Sequence, residues 1–75
     1  MSFGVSQREL ERLRAMYQPG TIVELIFMDD RHAPSVGTKG KVTGVDDAGQ
    51  VHVNWENGSS LALIPGVDAV RICEK

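Results

Sequence analysis

One cysteine, Cys73, is all the thiol this chain holds. It cannot form an internal disulfide, and alone it cannot build a structural zinc site. The core must therefore hold without staples, and a reducing, cytoplasmic compartment is expected. Aromatic residues are also scarce: two Phe, one Tyr and one Trp. A proline-recognition groove needs several aromatics in a row, so that function is not expected here. Excess charge is missing too. Eight Lys and Arg stand against ten Asp and Glu, giving a net charge of −2 and a pI near 5.5. Domains that bind nucleic acid as their main partner are usually basic overall or on one face. A local basic patch remains open. No apolar run approaches the length of a membrane span. The leading residues, MSFGVSQRELERLR, lack the apolar core of a signal peptide. No repeat and no low-complexity tract is visible.

What remains is 75 residues, 41% hydrophobic and 24% charged. Those values describe one globular domain over residues 1–75 with a small core. Residues 37–66, GTKGKVTGVDDAGQVHVNWENGSSLALIPG, organise it. The first run is Lys39 to Val45, entered through Gly37 and Gly40. Val42 and Val45 flank Gly44 out of phase, which predicts a bulge there. Asp46-Asp47-Ala48-Gly49 reads as a hairpin loop, with Asp accepting local amide bonds and Gly taking positive φ. From Gln50 to Glu56 the alternation is clean, with Val51, Val53 and Trp55 on one face. Asn57-Gly58 predicts a type I′ turn. Ser59 to Ile64 reads as the next strand, with Leu61 and Leu63 inward, and Ile64-Pro65-Gly66-Val67-Asp68 as a tight corner.

Before this stretch, Ser6-Gln7-Arg8-Glu9 reads as a capping box. A helix follows from about Gln7 to Tyr17, within residues 6–18. Leu10, Leu13, Met16 and Tyr17 form one stripe along it, and Pro19-Gly20 ends it. Met1 to Val5 is a short lead-in expected to fray unless Phe3 or Val5 docks. The stripe must bury itself on its own domain or on a partner, because a helix this short is marginal alone. Thr21 to Met28 is a strand with Val23, Leu25 and Phe27 inward. Its other face (Ile22, Glu24, Ile26, Met28) is apolar enough to expect cover from the helix. Asp29 to Val36 is a polar loop. Ala69 to Cys73 closes the chain as a strand, with Val70 and Ile72 inward and Arg71 outward.

These elements predict a mainly β fold: a small five-stranded SH3-like barrel over residues 20–73 with an N-terminal α-helix. Each strand has one apolar face, and a sheet this small hides those faces by curling on itself. An OB-type barrel fits less well, because only Asn57-Gly58 stands where it would place a helix. The sequence also resembles a small SH3-like domain family of bacteria and phages whose function is unknown. The resemblance rests on Tyr17 with Pro19-Gly20, the Asp29 region, Gly37-Thr38 with Gly40, and Val45-Asp46-Asp47 with Gly49. Trp55 with Asn57-Gly58 and Ile64-Pro65-Gly66 with Asp68 complete it. The Gly-x-x-Gly-x-Val start and the Val-x-Val-x-Trp strand are more distantly similar to KOW and Mib-Herc2 domains. That likeness implies a barrel that binds RNA, protein or peptides.

No catalytic or metal site is expected, and no cofactor. Asp29, Asp30 and His32, with Asp46 and Asp47, read as loop acids that accept backbone bonds. His52 reads as an exposed strand histidine without a nucleophile and an orienting acid in a pocket. The expectation is a non-enzymatic binding or assembly module with a protein partner. Its candidate contact residues are Arg31, His32, Trp55 and Asn57, although the phase of Trp55 with Val51 and Val53 favours the core. The alternative is a nucleic-acid-associated KOW-like domain using Arg31, Lys39 and Lys41. A third reading is a structural homodimer joined through Leu10, Leu13, Met16 and Tyr17, or through an edge strand. No contact with a membrane is expected.

Overall fold

A computed structural model describes residues 5–74 of the chain. Phe3 and the terminal Lys75 lie outside the described residues. Helix α1 spans Gln7–Met16. The strands are β1 (Ile22–Phe27), β2 (Lys39–Val45), β3 (Val51–Trp55) and β4 (Ala69–Glu74). They form one antiparallel sheet in the order β3-β2-β1-β4.

Several sequence expectations are corrected here. Among the described residues the sheet has four strands rather than five, and it is open: β3 and β4 stand at opposite ends of the order and the sheet does not close into a barrel. The missing strand is Ser59 to Ile64. Trp55 N–H donates to the Ser59 carbonyl, and Val51 and Leu63 exchange both backbone bonds. Between those two contacts the Leu61 carbonyl accepts from the Trp55 indole Nε1 at 2.9 Å. The Leu61 amide turns back to Ser59 Oγ. Side chains have replaced the ladder, so only an isolated bridge at Leu63 remains.

The second correction concerns Phe27, which is 52% exposed rather than inward. Val70 pairs with Leu25 and Ala69 with Phe27, so the intervening Ile26 is an extra residue on β1. A bulge of this kind shifts the alternation by one. Ile26 and Phe27 both reach solvent, and Met28 packs against the core instead. The expected bulge beside Gly44 is present, between Val42 and Gly44.

Both hairpin turns share one geometry. The Gly49 amide donates to the Asp46 carbonyl, and the Gly58 amide to the Trp55 carbonyl. Gly49 and Gly58 have φ of 86° and 92°, and no non-glycine residue has positive φ among those described. Asn57-Gly58 is therefore not a type I′ turn. It is the end of a three-residue loop in which glycine alone takes the left-handed position.

The core consists of Val23, Leu25, Val42, Val51, Val53, Trp55 and Leu63. Gly40 faces it. A Cβ there would overlap the Val53 side chain and come within 2.8 Å of Trp55 Cε3. The sequence places a glycine where the indole needs the space.

Ser6 caps α1 by accepting from the Glu9 amide. The Glu9 carboxylate does not return to Ser6 as a full capping box would; it takes Arg12 through two contacts of 2.7 and 2.8 Å. Leu10 and Leu13 are buried within the chain, while Met16 and Tyr17 are half-buried. Arg14 ties the helix to the β2–β3 hairpin through the Val45 carbonyl and Asp47 Oδ1. The helix covers this end of the sheet and leaves Ile26 exposed at 48%, against the expected cover.

Candidate functional site

The sequence-derived contact residues fall into three separate environments. Arg31 and His32 lie exposed in the loop between β1 and β2. That loop is shaped by Asp30, whose carboxylate accepts from the His32 amide at 2.7 Å and whose carbonyl accepts from Ala33. Asn57 is exposed, but its Oδ1 accepts from the Ser59 amide and so serves the turn. Trp55 is 3% exposed and belongs to the core. Its one polar atom is spent on Leu61, which leaves no platform for a ligand.

Lys39 and Lys41 point outward from β2. With Ile22, Asn54 and Glu56 they border a shallow depression of about 240 Å³ on the solvent face of the sheet. The strand register gives Lys39 acidic neighbours. Glu24 pairs with Arg71 on one side and with Lys39 on the other. Glu56 lies beyond Lys39, accepting the Lys39 amide on its carboxylate and donating its own amide to the Lys39 carbonyl. The row reads Arg71, Glu24, Lys39, Glu56, with alternating sign. Opposite charges set across strands in this way stabilise the sheet modestly. Arg71 and Glu24 are in direct ion-pair contact, and that carboxylate raises the Arg71 pKa further. The next row, Ile22, Lys41 and Asn54, leaves Lys41 without an acid directly beside it on β1 or β3.

The feature that sequence reasoning missed is the environment of Asp68. One carboxylate oxygen accepts from the Asp29 amide and the other from the Ile64 amide, both at 2.9 Å. Asp68 thereby clasps the end of β1 to the corner before β4. The segments it joins carry Phe27, Ile64 and Val67, all close to half exposed. Val36, 72% exposed, ends the loop that returns beside β1 through the bond from Gly37 to the Leu25 carbonyl. Together with Ile26, these are the large apolar side chains left in solvent among the described residues. The Pro-Gly corner was legible in the sequence. The partner amide of Asp29, 39 residues away, was not.

Asp46 and His52 form a pair on the opposite hairpin, with His52 Nε2 at 2.8 Å from Asp46 Oδ2. The His52 contact, together with amide bonds from Gln50 and Ala48, holds the Asp46 pKa below the ordinary carboxylate value. Among the described residues, the side-chain hydrogen bonds of this pair are those to each other and to the Ala48 and Gln50 amides. Among the described residues, no three of His, Cys, Asp and Glu come together as a metal-ligand set. None of the described helices is long and apolar enough to cross a membrane.

Residues 6–73 match the family model described as a domain of unknown function, DUF4314. The chain belongs to this family. The match supports the resemblance to a family of unknown function, and it lends none to a KOW or Mib-Herc2 relationship. Neither a curated protein nor a solved structure matches this DUF4314 chain.

Proposed function

We propose that this DUF4314 domain is a non-enzymatic protein-binding module whose contact surface is the apolar rim around Asp68. The observation that carries this reading is the exposure of Phe27, Ile64 and Val67 on segments that one carboxylate fastens together. Scattered apolar residues on a surface are ordinary, but several on adjoining segments mark an interaction site. Arg31 and His32 are exposed in the loop that runs from the end of β1 to Val36. Loops and corners on a rigid sheet are where recognition usually sits.

The nucleic-acid reading has weaker support, because Lys39 is flanked across the strands by Glu24 and Glu56. A homodimer through the helix stripe is disfavoured by the burial of Leu10 and Leu13 in the chain itself.

The test is affinity capture with two baits, the unaltered domain and a Phe27→Asp/Val67→Asp variant. Both positions are exposed, so the two baits should melt at similar temperatures. A partner held by the first and lost by the second supports the reading. Identical captures by both baits overturn it.

A further inference from the structure

A groove of about 400 Å³ runs from α1 to the start of β4, bordering the apolar rim. Leu13, Met16 and Tyr17 form its helix wall; Pro65, Ala69 and Val70 form the other. β4 pairs with β1 on one side, and no described residue pairs with its other side. From Ala69 to Cys73 this open edge carries one charge, Arg71, whose guanidinium is engaged by Glu24 on the solvent face. It holds no proline and no inward lysine. Those are two of the usual devices that keep an edge strand from pairing with another chain; a third, a bulge, is present at Cys73, at the end of β4 away from the groove.

The charge beside the groove has a sign. Glu9 and Arg12 cancel each other in a direct ion pair. Asp68 remains, with Asp29 bonded to it and Asp30 adjacent in sequence. A ligand entering here meets walls of mixed polar and apolar character, with Leu13, Met16, Pro65 and Val70 among the apolar groups, the unpaired backbone edge of β4 and a net acidic end.

We propose that the groove and the open edge of β4 receive an extended segment of a partner protein, added as a strand, with apolar side chains alternating with Lys or Arg. The backbone of β4 supplies the hydrogen bonds. The helix wall takes the apolar side chains, and the Asp68 end takes the basic ones. The proposal rests on the protein-binding reading above and names the kind of partner.

The probe is a displayed library of random linear peptides about ten residues long, roughly twice a typical strand. Binding of the enriched peptides is mapped by amide chemical shifts on the labelled domain. The expected result is enrichment of alternating apolar and basic residues. Shifts should fall on Ala69 to Cys73 and on Met16 and Tyr17, with slowed amide exchange along β4. Met16→Lys, a half-buried position on the groove wall, should weaken binding roughly tenfold or more while the fold persists. Enriched peptides that map to Lys39 and Lys41, or that carry acidic residues, overturn the proposal. Shifts that grow with protein concentration alone also overturn it, because a second copy would then occupy the edge. If no linear peptide binds but the two-bait capture still depends on Phe27 and Val67, this inference fails and the protein-binding reading stands. If both experiments fail, both fall.

Discussion

Asp46 shows how much one residue can organise in a hairpin this small. One oxygen of its carboxylate accepts from the Ala48 and Gln50 amides, and the other faces His52. All three contacts favour the ionised form, so the folded-state pKa lies below the unfolded one. A depressed carboxylate contributes stability above its unfolded pKa and loses it as pH falls through the folded value. Asp46→Asn should therefore melt lower than the unaltered domain at neutral pH. The two should converge once the pH is below the folded pKa. Melting temperatures across an acid titration check this, and a constant gap at all pH values would refute it. Gly40 is the second residue-scale test. Gly40→Ala pushes a methyl into Val53 and Trp55, and overpacking of this kind costs about 1–3 kcal/mol. Urea unfolding reads that loss directly. The glycine itself was legible in the sequence. Its reason was not, because Trp55 becomes its neighbour only when β2 and β3 pair.

At the scale of elements, the helix and the first strand behave differently. The helix stripe follows from 3.6-residue periodicity, and the chain buries its first two members. Leu13→Asp should destabilise the domain by about 2–5 kcal/mol, measured by thermal or urea unfolding. A variant of unchanged stability that converts a dimer to a monomer would show that a second copy covers the stripe. β1 defeated the same kind of reading. Its alternation continues through Phe27 in the sequence, but the added residue at Ile26 reverses the phase. Nothing in the IVELIF pattern marks that bulge, because it arises from the register with β4. The Ser59 to Ile64 segment failed for a related reason. Its apolar spacing is that of a strand, and its length is sufficient. The Trp55 indole and the Ser59 hydroxyl compete for its backbone groups and win.

For the whole molecule, the distribution of charge matters more than its total. Lys39 and Lys41 are adjacent on one face of β2 and look like a basic patch in the sequence. In the sheet, Lys39 sits in the row between Glu24 and Glu56. Short single- and double-stranded oligonucleotides should therefore give no saturable amide shifts at Lys39 and Lys41, even at low salt. Saturable shifts there that fade as salt is added would instead identify phosphate contacts and displace the protein-binding reading. The sequence by itself determined what depends on neighbours along the chain. That covers the helix and its Ser6 cap, the turns at Gly49 and Gly58, the inward face of β3 and the bulge at Gly44. Tertiary structure alone decided the open sheet, the outward turn of Phe27, the fate of the fifth run, the charge row and the clasp at Asp68. Each of these joins residues distant in sequence. Local propensity carries no information about which distant amide, carboxylate or indole will arrive to take a backbone bond.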